Sequence, residues 1–149
     1  MKGGGTMTNF YKQIVVAVDF SEASKLAFER AAAIAAAYDA TLTIVSVIDD
    51  RSAASVATYD KKYIDELTTE YNEKLDRAKE KAASLGVNDV RVLIEVGSPK
   101  QILTSFDDAD LIVCGATGLN AAERLFIGSI SEGIVRKAAC DVLIVRVKA

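Results

Sequence analysis

Five short apolar runs alternate strictly with helical patterns along this chain, and no other feature narrows the fold so far. Ile14–Val18 and Leu111–Cys114 are apolar at every position, as strands buried on both faces of a sheet must be. Thr41–Val47, Val90–Val96 and Val142–Val147 carry polar interruptions at Thr43, Ser46, Arg91, Glu95 and Arg146, as strands nearer a sheet edge do. Between the runs, Ser21–Tyr38 is rich in alanine, with Leu26 and Ile34 on one stripe. Over Lys61–Leu85 the residues Ile64, Leu67, Tyr71, Leu75, Ala78, Ala82 and Leu85 recur at steps of three and four, and Gly86 follows. That is an amphipathic helix with a glycine stop. Ser98-Pro99 reads as the cap and first residue of a third helix. A fourth runs from about Ser129 to Ala138, with Ile130, Ile134 and Val135 expected to face inward. The order βαβαβαβαβ requires crossovers, hence an α/β fold with a five-stranded parallel sheet and helices on both faces. Asp49–Thr58 is the one long irregular connection, a place for a ligand-covering flap or a partner contact.

Composition sets the outer limits. A chain of 149 residues, 50% hydrophobic with a single proline, buries one large core and is neither disordered nor multi-domain. No apolar run approaches the ~18–20 residues that cross a bilayer. A formal charge of −3 leaves no basic footprint for nucleic acid. Residues 1–9, with three glycines and no apolar stretch, read as a flexible tail or a remnant ahead of a natural start at Met7. Residues 10–149 form the domain, and a cytoplasmic setting follows by elimination. With no histidine in the chain, Ser-His-Asp triads, Cys-His dyads and imidazole metal sites are excluded. Cys114 and Cys140 are too few for a zinc site, and their apolar settings predict inert buried thiols.

The glycines carry what chemistry the sequence shows. Gly115-Ala116-Thr117-Gly118 follows the fourth strand, and nine residues later Gly128-Ser129 opens a helix. Open α/β sheets bind ligands beyond the carboxyl ends of their strands, where the strand order reverses. There Gly115 would admit a ligand to the backbone, Gly118 would supply an unhindered turn, and Gly128-Ser129-Ile130-Ser131 would offer free N–H groups and the positive end of a helix dipole to a phosphate. Ser129 and Ser131 would add hydroxyl donors. If the first and fourth strands are neighbours, as in a 3-2-1-4-5 sheet, Asp19 faces Gly115 and can accept from ribose hydroxyls or stand near a divalent cation. Val47 would wall the base. Each residue also has a plainer role. Asp19 could cap the next helix, the serines could be ordinary helix-start residues, and the glycines could be turn chemistry. Their combination is what argues for a nucleotide: from an average glycine usage of ~7%, the spacing G-x2-G-x9-G-S arises by chance in roughly a few per thousand chains of this length.

On these residues the chain resembles the universal stress protein family, over about Phe10–Val147. The likeness rests on V-A-V-D with S-E-A-S after it, V-S-V-I-D, I-V-C-G-A-T-G, and F-I-G-S-I-S-E-G-I-V-R-K-A-A-C-D-V-L-I-V. The resemblance implies a Rossmann-like, adenine-nucleotide alpha-hydrolase-like fold with strand order 3-2-1-4-5. Within the family, G-x2-G-x9-G-[ST] marks the ATP-binding members. It implies that Ala17, Val18, Asp19 and Val47 line the adenine and ribose pocket, that Cys114, Gly115, Thr117 and Gly118 approach ribose and phosphates, and that Gly128, Ser129, Ile130 and Ser131 hold the phosphate tail. No metal site is assigned beyond a Mg2+ ion carried with ATP, for which Asp19 is the candidate contact. Thr117 stands where family members often carry His or Arg, which lowers the expected phosphate affinity. The family's habit of pairing through the last strand implies an antiparallel homodimer through Val142–Val147, with further protein partners unknown and no nucleic acid or membrane among them.

The expected function is that of an ATP-binding stress-response protein working as a nucleotide-occupied homodimer. Two alternatives stand beside it: an interaction module of the same fold without nucleotide, and a slow ATPase. The lysine of a G-x4-G-K-[ST] loop is lacking, so at most slow hydrolysis is expected and no catalytic residue is assigned. A dinucleotide oxidoreductase would need G-x-G-x-x-G after the first strand, where this chain has D-F-S-E.

Overall fold

Apolar runs become strands here because they can be covered on both sides. A computed structural model describes residues 10–49, 61–117 and 127–148. Its elements follow the order β1 (Gln13–Ala17), α1 (Glu22–Tyr38), β2 (Thr41–Asp49), α2 (Lys61–Ser84), β3 (Asp89–Gly97), α3 (Pro99–Leu103), β4 (Leu111–Gly115), α4 (Ser129–Lys137) and β5 (Asp141–Val145). The strands form one parallel sheet in the order β3-β2-β1-β4-β5, as expected. Chain order reverses between β1 and β4, so their carboxyl ends flank the switch point, with Val16 beside Val113.

Alternation along each strand sends side chains to two separate cores. One, under α1 and α2, holds Ile14, Val16, Leu42, Ile44, Leu111 and Val113 with Phe28, Leu75 and the α1 alanines. The other, under α3 and α4, holds Val15, Val45, Ile112, Cys114, Leu103 and Ile134. The covers are unequal, with 17 and 24 residues in α1 and α2 but 5 and 9 in α3 and α4. Ala23, Ala27, Ala31 and Ala35 are buried along α1, and a stripe of such small side chains lets the helix axis lie close to the sheet. Ser21 caps α1 by accepting from the Ser24 amide, and Asp39 ends it in the left-handed conformation. Gly86 (φ +102°) makes the turn after α2.

Three local expectations are corrected. Only Ile134 of the apolar trio in α4 is buried; Ile130 and Val135 are 39% and 52% exposed. A two-turn helix rotated to bury Ser131, Gly133 and Ile134 has no further inner surface to offer. Strand β5 ends at Val145, short of Val147, where its pairing with Gly115 of β4 runs out. Ser98 caps α3 by its backbone alone, with no side-chain hydrogen bond. Of the irregular connection, Asp49 belongs to β2 and residues 50–58 lie outside the described residues, as does Gly118.

Candidate functional site

The end of β1 is held from three directions. The Val18 amide donates to the Val45 carbonyl at 2.8 Å, carrying the β1–β2 pairing one residue past the strand. Buried Ser46 donates its hydroxyl to the Val18 carbonyl at 2.7 Å. Beyond it, Asp19 turns its carboxylate back on its own loop, Oδ1 accepting from both the amide and the hydroxyl of Ser21. Ser21 in turn accepts from the Ser24 amide at 3.2 Å, and the Ser24 hydroxyl accepts from the Asp19 amide at 3.3 Å. Asp19 therefore reaches the start of α1 through Ser21, the residue that caps it. Among the described residues Oδ2 of Asp19 takes no hydrogen bond, and the side chain is exposed.

Phe20, between Asp19 and Ser21, has φ +66°. A bulky side chain in the left-handed region costs about 1–2 kcal/mol, and its ring is held by contacts that offset this. Tyr71 meets it edge-on with centroids 4.9 Å apart, and the Lys74 ammonium lies 4.7 Å from its centroid. Burial, then the charges of Glu70 and Asp19, raise the Tyr71 phenol above its ordinary pKa. Sequence reasoning missed this residue, because nothing in D-F-S-E marks a left-handed phenylalanine. Ser46 did carry a signal, being a hydroxyl inside an apolar run.

The two halves of the glycine pattern meet at the end of β4. The Gly128 amide donates to the Ala116 carbonyl at 2.8 Å, and the Ser131 hydroxyl to the Gly115 carbonyl at 2.6 Å. Gly128 is the N-cap of α4 and the first bond inside the helix runs from Glu132 to Gly128. The amides of Ser129, Ile130 and Ser131 therefore have no intrahelical acceptor. Glu132 is drawn off to Arg136 at 3.0 Å.

The glycines have different reasons for being glycine. A Cβ on Gly115 would lie 2.7 Å from the Ala23 Cβ and 2.9 Å from the Ala23 carbonyl carbon. Gly115 thus makes room for α1, a packing demand that the spacing pattern did not reveal. The buried Ser131 hydroxyl is given to the Gly115 carbonyl, and its amide is the group left to offer. Gly128 is the opposite case. Its φ of −63° and ψ of 158° suit any residue, and among the described residues its Cβ would meet nothing nearer than the Ala116 oxygen at 3.6 Å. Nothing among the described residues asks for glycine there.

Ala17, Val47 and Cys114 belong to the same core, on the α3–α4 side of the sheet, with Ala17 and Val47 only partly covered. They make an apolar floor at the ends of β1, β2 and β4. Val18 faces the other core. Burial pushes the Cys114 thiol up to about 11, against a small opposing effect of its hydrogen bond with Ser131. A thiol so placed is neutral and unreactive. Thr117 is half-buried and Ser129 and Ile130 are exposed. Among the described residues no cluster of His, Cys, Asp and Glu could hold a metal ion.

Comparison with known proteins agrees with this architecture. Residues 10–146 match the universal stress protein family. A protein of Staphylococcus aureus (strain USA300) bearing the universal stress protein name is 47% identical over 140 residues, covering 91% of this chain and 84% of its own. Universal stress protein UspA from Lactobacillus plantarum superposes with a TM-score of 0.81 at 29% identity, over 91% of this chain and 98% of the other. A universal stress protein solved in complex with cAMP gives 0.68 at 29% identity, over 93% and 98%.

Proposed function

The chain belongs to the universal stress protein family, and on that premise we propose that it binds an adenine nucleotide, ATP, across the carboxyl ends of β1, β2 and β4. The observation that carries this reading is Gly128. Neither its conformation nor its packing against the described residues requires glycine there, yet a side chain would stand at the mouth of a helix whose first amides are unclaimed. A bare backbone at that point lets an anion approach the Ser129 and Ile130 amides, where the helix dipole adds to the attraction. Cognate support comes from the relative solved with cAMP.

In this reading the apolar floor of Ala17, Val47 and Cys114 receives the adenine. Asp19, with Oδ1 committed to Ser21 and Oδ2 open, accepts from a ribose hydroxyl. Ser129 offers both amide and hydroxyl to the phosphates, Ile130 and Ser131 their amides. ATP brings its own Mg2+ when it binds, near Asp19. The sequence lacks the lysine of a G-x4-G-K-[ST] loop, and on this reading the protein holds ATP and turns it over slowly or not at all. The sheet ends at β5, and pairing of that edge, Val142–Val147, with a second copy completes a cytoplasmic homodimer. Among the described residues no helix is long and apolar enough to cross a membrane.

Gly128→Ala tests the reading. The unliganded variant should melt within about 0.5 kcal/mol of the parent, the usual range for a change that meets no neighbour. The rise in melting temperature that saturating Mg-ATP produces in the parent should be lost. A parent protein that shows no such rise, and carries no 260 nm absorbance when purified, would refute it. The fold's own use of Gly115 and of the Ser131 hydroxyl favours one rival, a ligand-free interaction module, which predicts that Gly128→Ala changes nothing.

A further inference from the structure

A second glycine of α4 is also unexplained by conformation. Gly133 sits in the middle of the helix, where glycine is disfavoured, and its φ is not positive. What occupies the place of its missing side chain is Lys100, from the first turn of α3. A Cβ on Gly133 would collide with the Lys100 Cδ, with Cε at 2.9 Å and Cγ at 3.0 Å. The lysine stem lies in a slot that glycine leaves open. Positions 129, 130 and 133 share one face of a helix, and Cα–Cβ bonds tilt toward the helix N-terminus. Lys100 is exposed, and its Nζ, one bond beyond the Cε that lies against Gly133, can reach from the slot toward the turn that presents the free amides of Ser129 and Ile130. Its ammonium has no acid partner among the described residues. The nearby acid on α4, Glu132, is paired with Arg136. The candidate site residues include one carboxylate, Asp19, and no cationic side chain, so beyond the Mg2+ carried with ATP a polyphosphate there lacks a countercharge from the protein.

We infer that Lys100 supplies it: its stem laid in the Gly133 slot, Lys100 delivers an ammonium beside the N-terminus of α4 and binds the terminal phosphates of ATP. This rests on the nucleotide reading above. Calorimetric titration of ATP and adenosine into the parent, Lys100→Met, Lys100→Arg, Gly133→Ala and the Lys100→Met/Gly133→Ala double variant tests it. Loss of one charge-assisted contact should weaken ATP about tenfold or more in Lys100→Met, with adenosine changed less than about twofold and Lys100→Arg close to the parent. Gly133→Ala, whose methyl evicts the stem, should weaken ATP in the parent and add nothing in the Lys100→Met background. Melting of each unliganded variant guards against loss of fold, and alanine at 133 favours the helix. If the parent binds ATP and Lys100→Met binds it equally well, the assignment of Lys100 falls and the site stands. Equal losses for adenosine and ATP would also overturn it, by removing the phosphates as the target. If the parent binds neither ligand, the nucleotide reading falls and takes Lys100 with it.

Discussion

Replacing Gly115 by alanine asks whether α1 or a ligand is the reason for that glycine. The added Cβ would stand 2.7 Å from the Ala23 Cβ, 2.9 Å from the Ala23 carbonyl carbon and 3.1 Å from the Ser24 nitrogen. Carbons rest comfortably at ~3.5 Å or more, so α1 would have to withdraw by roughly 0.8 Å. Two of the three obstacles are backbone, and they belong to the turn that Ser21 caps and Asp19 braces. Overpacking of this kind costs about 1–3 kcal/mol, and a backbone obstacle points to the upper end. Gly115 has no positive φ, so alanine recovers about 0.5–1 kcal/mol by restricting the unfolded chain. The net expectation is a loss of about 2 kcal/mol, or roughly 4–8 °C in melting temperature for a domain of this size. Urea denaturation without nucleotide measures it, and valine should be worse. An unchanged urea midpoint for Gly115→Ala, with loss of ATP binding, would refute the packing argument and return Gly115 to the ligand.

Ser46→Ala removes the hydroxyl that satisfies the Val18 carbonyl. A buried acceptor left without its donor should cost about 1–2 kcal/mol in chemical denaturation, with weakened ATP binding because Asp19 follows directly. Native Cys114 should resist thiol reagents at pH 8 while half-buried Cys140 reacts; a thiol count before and after denaturation separates the two. Because the folded Cys114 pKa of about 11 lies above its ordinary value, the folded form keeps a proton that the unfolded form loses. The stability owed to the neutral thiol is present below pH ~9 and declines as pH rises through about 11, which alkaline melting curves of the parent and Cys114→Ala would resolve.

The parallel sheet was legible because uninterrupted apolar runs such as Leu111–Cys114 admit burial on both faces and little else, whereas its order came with the family resemblance. Helix limits were legible where local chemistry sets them, as at Ser21 and Gly86. What the string of letters does not carry is direction. Gly115 and Gly128 stand in one spacing pattern, but one lacks a side chain because α1 presses on it and the other without any such pressure. Ser131 looked like a phosphate donor because serine starts helices; a quarter-turn of rotation decides that its hydroxyl meets Gly115 instead. Lys100 and Gly133 are 33 residues apart and form a pair only once α3 and α4 share a sheet face. Phe20 is a backbone conformation, and no residue type announces it.

The unequal covers of the two sheet faces have a consequence for how occupancy is felt. A layer whose helices have only 5 and 9 residues should open locally at a free energy below that of global unfolding. The long-helix face does not share this weakness. A nucleotide bound as proposed, against α4 and over the ends of β1, β2 and β4, would therefore add its stabilisation to the layer that has least of its own. On that reading, empty and occupied molecules would differ chiefly in how often that thin layer is open. A partner that binds its closed form can distinguish the two without any rearrangement of the sheet.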